Sequence, residues 1–196
     1  MKRSLLLVFQ FFIFSLCSEL IAQNTNEGIY LSAGDFTKGK LSFRNAPGEN
    51  KYRLHLNVIF NTALVKVTNQ GSVIELKKDS IYGYRDKGNN CFRFFKKDAY
   101  KIINPTEKIL LYSRTISVGS PRNIHSVTYY FFSANAGSAI YALSKLNLKL
   151  VLYNDLRYHE LLDTYFHSDE DLTAYDSINK EYSLNRIYDL SKQKSN

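Results

Sequence analysis

Ile81-Tyr82-Gly83-Tyr84-Arg85-Asp86-Lys87-Gly88-Asn89-Asn90-Cys91-Phe92-Arg93-Phe94-Phe95 consists of two aromatic-rich runs set about a group of turn-forming residues, Asp86 to Asn90. Strand-forming runs on either side of such a turn predict an antiparallel hairpin. The same grammar repeats outward in both directions. Toward the N-terminus, Leu54, Leu56, Val58 and Phe60 alternate with Arg53, His55 and Asn57, as a half-buried strand requires. Val65 and Val67, then Asn69-Gln70-Gly71, then Val73 to Leu76 read as a second hairpin. Toward the C-terminus, Tyr100 to Ile103 and Ile109 to Tyr112 flank Asn104-Pro105-Thr106-Glu107, and a last strand, Val127 to Phe132, follows a loop with Gly119, Ser120 and Pro121. Connections this short suit an antiparallel meander and leave no room for helical crossovers.

The period changes after Gly137. Ser138 is placed to cap a short helix carrying Ile140 and Leu143, and the chain then passes through Leu148-Lys149-Leu150-Val151. Tyr158, Leu161, Leu162, Tyr165 and Phe166 fall on one helical face. A further helix is expected from Ser168, with Asp171 completing a capping box, Asp169 and Glu170 in its first turn, and Leu172, Tyr175 and Ile178 along it. Tyr182, Ile187 and Tyr188 mark a last helical segment. The expected class is therefore α+β: an antiparallel meander of about seven to nine strands, curled or partly closed into a barrel, with C-terminal helices over one face or end. Three prolines and no flexible linker predict one globular domain over 23–196, β-rich over 28–133 and mostly helical over 138–191.

Residues 1–22 have the layout of a signal peptide. Lys2 and Arg3 form a positive start, Leu5 to Leu16 is apolar apart from Gln10 and Ser15, and Leu20-Ile21-Ala22 offers a cleavage point. The run is short of the ~20 residues that cross a bilayer, so no transmembrane span is expected in the mature chain. Phe14-Ser15-Leu16-Cys17 offers the alternative of an acylated Cys17 as a lipid anchor, against which stands bulky Leu16. Either route predicts export to the periplasm, the outer membrane or the medium. With Cys17 gone, Cys91 is the sole cysteine; it cannot form an intramolecular disulfide and reads as a small buried hydrophobe.

The chain carries a net charge of +8, unevenly spread. Residues 28–154 hold 19 Lys and Arg against 7 Asp and Glu, whereas residues 155–196 hold 5 against 9. An acidic helical end packed on a basic sheet accounts for this, and so does a basic face that touches polysaccharide, anionic lipid or another envelope protein. No nucleic-acid-binding pattern is present and none is expected of an exported chain. Fifteen Tyr and thirteen Phe sit mainly at inward-facing positions, where they fill a core.

Chemistry is sparse. His159, Asp163 and His167 recur every four residues, which on an α-helix sets them on one stripe drifting roughly 40° per step. Two imidazoles and a carboxylate so placed can ligate a metal or share a proton. His159-Glu160-Leu161-Leu162-Asp163 follows the zinc-protease pattern with Asp in place of the second His, and the alternative is a polar helix flank bonded locally. Gly34-Asp35-Phe36-Thr37-Lys38-Gly39-Lys40 has phosphate-loop spacing, but Leu41 stands where a magnesium-holding Ser or Thr belongs. There is no nucleophile elbow, no dinucleotide fingerprint and no paired-cysteine metal site. His55 and His125 lack acidic or cysteine neighbours. No catalytic residue and no cofactor is assigned.

Ile29-Tyr30-Leu31-Ser32 with Asp35-Phe36, Asp79 to Arg85, Phe92-Arg93-Phe94, Tyr129 to Ser133 and Tyr158 to Asp163 together resemble uncharacterised small exported proteins of Bacteroidota-type bacteria, whose signal peptides often end like Ala22-Gln23. The resemblance implies a Gram-negative envelope or secreted location and brings no activity. The functional expectation is a non-enzymatic exported protein acting through surface contacts; the rival is a metal-binding protein or hydrolase built on the His159, Asp163 and His167 stripe.

Overall fold

A computed structural model describes residues 27–46, 49–56, 62–120 and 123–193. The expected signal peptide (1–22), Cys17, the strand positions Asn57, Val58 and Phe60, and Pro121 lie outside the described residues.

The chain opens with β1 (Gly28–Tyr30) and a short helix, α1 (Ala33–Thr37), capped by the Ser32 side chain. Next come β2 (Tyr52–His55), β3 (Leu64–Asn69) and β4 (Ser72–Lys77), which pair among themselves as a three-stranded antiparallel sheet. From there β5 (Gly83–Arg85), β6 (Cys91–Phe95), β7 (Asp98–Ile102), β8 (Leu110–Ser120), β9 (Asn123–Ser133) and β10 (Tyr141–Ala142) run up and down in sequence, and β1 adds to the free edge of β5. The result is a curled seven-stranded antiparallel half-barrel. The helical end follows: α2 (Lys145–Val151), α3 (Leu156–Tyr165), a 3-10 turn over Glu170–Thr173, the hairpin of β11 (Tyr175–Asp176) and β12 (Glu181–Tyr182), and α4 (Ser183–Lys192). The α+β class and the meander are as the sequence predicts, except that β2 to β4 form a sheet of their own.

Strand alternation sorts the apolar residues into three layers. On one face of the half-barrel, Tyr30, Cys91, Tyr100, Ile102, Leu110 and Tyr112 pack with Phe36 of α1. Ile29, Tyr84 and Phe94 point the other way and meet Val65 and Val67 of β3. Beside them Ile109, Leu111 and Phe132 carry the helical end through Leu148, Tyr158, Leu162, Phe166, Leu172, Leu184 and Ile187. Each fully buried large apolar side chain contributes about 1.5–3 kcal/mol, so this last layer is what fastens the short helices. Gly83 is fixed by a close approach: a Cβ there would lie 1.9 Å from the Phe92 carbonyl oxygen.

Four local expectations need correcting. The helix after Gly137 is capped by Ser144, not Ser138, because Ser144 Oγ accepts from the Asn147 amide while Ile140 turns into the core beside β10. Leu148 to Val151 is accordingly helical, within α2. Tyr165 is exposed, since α3 ends there and the extended Phe166 alone reaches back to the core. The helix expected from Ser168 stops after a single 3-10 turn. Asp171 does accept the Ser168 amide, as a capping box should, but the Asp176 carboxylate takes the amides of Ile178 and Asn179 at 2.9 and 3.0 Å. Such local bonds compete with helix, and Tyr175 to Tyr182 becomes a hairpin with Ile178 at its tip.

Leu162 and Ile178 therefore separate the observed packing from a continuous helix. Leu162→Ala should cost about 2–5 kcal/mol in urea unfolding, whereas Ile178→Ala, at a position 89% exposed, should stay within about 0.5 kcal/mol of the parent.

Candidate functional site

The histidine stripe does not assemble. His159 turns its Nε2 to the Leu152 carbonyl oxygen at 3.0 Å, in the link between α2 and α3. Asp163 is held by Lys149 at 2.5 Å and Lys145 at 3.2 Å, and these lysines keep its carboxyl below the usual range. His167 lies past the end of α3, where the extended Phe166 backbone takes it off the stripe, and its amide donates to Asp171. Among the described residues no group of three or more His, Cys, Asp and Glu could hold a metal. His55 and His125 are exposed on β2 and β9. Gly34 to Thr37, the phosphate-loop look-alike, is part of α1. Cys91 is buried, with its sulfur 3.8 Å from the Tyr30 hydroxyl; burial pushes that phenol up to about 12.

Two buried cations stand out instead, and they differ in how they are satisfied. Arg93 donates to the Tyr112 hydroxyl at 3.0 Å and to the Ser138 carbonyl at 2.7 Å, and lies over the Tyr82 ring at 5.1 Å. Its donors are spent on neutral groups within the core, which makes it a structural brace.

Lys78 is of another kind. It follows directly on β4, its amide tied to the Ala63 carbonyl, and its side chain is only 2% exposed. The ammonium sits 5.3 Å from the Phe94 ring centroid and opens onto a cleft, with no hydrogen bond to another described residue. Burial lowers its pKa, partly offset by attraction to Asp98. The side chain borders a cleft of about 420 Å³ on the half-barrel, shared with Asp98, Lys101, Ser113, Arg114 and Thr115.

Strand register builds this cleft. Tyr84 faces Phe92, Phe92 faces Lys101 and Lys101 faces Ser113, so one residue from each of β5, β6, β7 and β8 forms a row across the sheet. The Tyr84 and Phe92 rings stack at 4.7 Å, giving the aromatic end of the row; Lys101 and Ser113 form the polar end. Arg114 grips Asp98 with both nitrogens, at 2.8 and 2.9 Å. That bidentate fork uses the arginine's planar donors on a carboxylate of the protein itself. Three cations against one carboxylate leave the cleft positive.

The sequence does contain a trace of this site. Leu76 and Lys78 share the parity that points β4 inward, but in the run Lys77-Lys78-Asp79 a lysine reads as one more solvated charge. The pairing of Asp98 with Arg114 depends on the sheet and had no local signal.

The chain matches no family model, no curated protein and no solved structure.

Burial disfavours the charged form of Lys78, and the sign of its pH dependence follows. The folded pKa lies below the unfolded 10.5, so between the two the unfolded chain binds more protons and stability rises with pH. Replacing a buried charge with an apolar chain of similar volume is often neutral or stabilising, and methionine keeps a favourable contact with the Phe94 ring. Lys78→Met should thus melt no lower than the parent at pH 7, with any advantage shrinking as the pH nears 10.5; thermal melts of both proteins across that range check it.

Proposed function

We propose that this protein is an exported, non-enzymatic component of the Gram-negative envelope or its surroundings, periplasmic, outer-membrane-associated or secreted, that acts through surface contacts with an anionic glycan. The observation that carries the reading is the positive cleft of Lys78, Lys101 and Arg114 on the β-rich part of the chain, which holds 19 basic against 7 acidic residues over 28–154. Export is supported by the tripartite layout of residues 1–22. No helix among the described residues is long and apolar enough to cross a membrane, in keeping with a chain that meets its partner from the aqueous side. A glycan is favoured over a flat lipid surface because the Lys78 stem is buried beside the Phe94 ring, whereas lipid-surface binders present basic residues on an amphipathic face.

Electrostatic contacts weaken with added salt. Purified 23–196 should be retained on a column bearing a phosphorylated or sulfated polysaccharide at low salt, pass through a neutral polysaccharide column, and elute earlier as sodium chloride rises. Equal retention on both columns, or turnover of a glycan or peptide library, would defeat the proposal; tighter capture by phosphatidylglycerol vesicles would transfer it to lipid.

A further inference from the structure

The cleft's donor set is more selective than its charge. Arg114, whose planar fork is the group suited to bidentate carboxylate recognition, is already engaged by Asp98 through two hydrogen bonds. What faces the cleft apart from that pair is a different chemistry: the Lys78 and Lys101 ammonium groups, with the Ser113 side chain beside them and the Thr115 hydroxyl bonded to that of Thr128 at 2.8 Å. Ammonium groups act as point charges with three freely rotating donors and impose no plane on their acceptor. Two of them, with the Ser113 hydroxyl nearby, match an anion whose oxygens point tetrahedrally.

A second observation is independent of the charge count. Buried polar groups in folded proteins are almost always hydrogen-bonded, and each exception needs a reason. The Lys78 stem is buried, the side chain being 2% exposed, while its ammonium opens onto the cleft and makes no hydrogen bond to another described residue. Asp98 attracts it electrostatically while accepting two hydrogen bonds from Arg114. The Phe94 ring stabilises the ammonium from one side and accepts no conventional hydrogen bond. A folded chain that keeps a lysine here forgoes stability that an apolar residue would supply, and ligation of an anion gives that sacrifice a use.

We propose that the cleft is a binding site for a tetrahedral oxyanion, a phosphate or sulfate group, with Lys78 as its buried ligand and Lys101 as its exposed one. The inference rests on the anionic-partner reading above in the sign of the ligand's charge alone. Ser113, opposite Lys101 on β8, is placed to donate its hydroxyl to the same group. Asp98 tunes the site by holding Arg114 at its rim.

The test is calorimetric titration of 23–196 with inorganic phosphate and with sulfate, against sodium chloride of equal ionic strength. The parent should bind one equivalent of either. Lys78→Met should weaken binding by about tenfold or more, the range for losing a hydrogen bond to a charged group, while melting no lower than the parent, which separates a lost ligand from a lost fold. Lys101→Ala should weaken it by a few fold, as suits an exposed charge. Lys149→Ala, which removes a lysine paired with Asp163 on the helical end, should leave it unchanged. No heat beyond the chloride control, or equal affinity in the parent and Lys78→Met, overturns the site.

Three further titrations identify the source of the anion: a phosphorylated oligosaccharide, phosphatidylglycerol vesicles and inorganic phosphate compared at equal phosphate concentration. Whichever binds tightest, with loss in Lys78→Met, names it. Polysaccharide retention that survives Lys78→Met defeats the site and leaves the surface-contact reading. Phosphate binding without polysaccharide retention does the reverse.

Discussion

The Asn185 side chain pairs with a backbone as a strand would, and the helical end depends on it. Its Oδ1 accepts the Ile109 amide at 2.8 Å, and its Nδ2 donates to the Ile109 carbonyl at 2.9 Å and to Glu107 at 2.6 Å. From the other side Asn104 takes the Leu111 amide at 2.6 Å and donates to the same Ile109 carbonyl. Two carboxamides thus satisfy backbone groups at the start of β8 that would otherwise be buried unpaired, at a cost of about 1–3 kcal/mol each. Glu107 completes the knot by accepting from Asn104, Asn185 and the Tyr182 amide. Desolvation nonetheless keeps its carboxyl above the ordinary value. With α4 locked to the β7–β8 turn, Leu184 and Ile187 are delivered onto Ile109 and Leu111. The start of β8 is fixed at the same stroke, and Ser113 and Arg114 with it.

Much of this was legible because turn chemistry is local. Gln70 and Gly71 both have positive φ, as Asn69-Gln70-Gly71 promised, and Asp86 accepts the Asn90 amide at 2.8 Å to shape the loop between β5 and β6. The β6–β7 hairpin had no such mark. Lys96 and Lys97 take left-handed conformations at φ 50° and 72°, a tight turn made of residues that seldom adopt it, held by the five paired positions of its flanking strands. Failures at the helical end share one cause. Ser138 and Ile178 fit helical spacing, but spacing says nothing of which carboxylate or hydroxyl will claim a nearby amide, and Ser144 and Asp176 did. The site was less legible still, since its charges come from three separate stretches and only the sheet register joins them.

The division of charge between the two parts of the chain is partly repaired in the fold. Asp163 draws Lys145 and Lys149, and Asp189 draws Lys108 at 2.6 Å. Asp155 and Asp176 turn inward to their own segment, to Lys192 and Arg186. The acidic end therefore neutralises lysines that lie beside the helices and reaches none in the cleft. On the sheet, Asp98 is bound to Arg114 and Glu75 to Lys66 on the small sheet. Lys78 and Lys101 remain positive as a consequence of where the carboxylates are spent, rather than of total charge. A charge asymmetry that simple packing of a basic sheet on an acidic helical end would erase survives at one place, and that place is recessed, aromatic on one side and hydroxyl-lined on the other. Arg93 shows that this chain can bury a cation and satisfy it with neutral oxygens; that it has not done so for Lys78 is the strongest physical reason to look for an acceptor outside the chain.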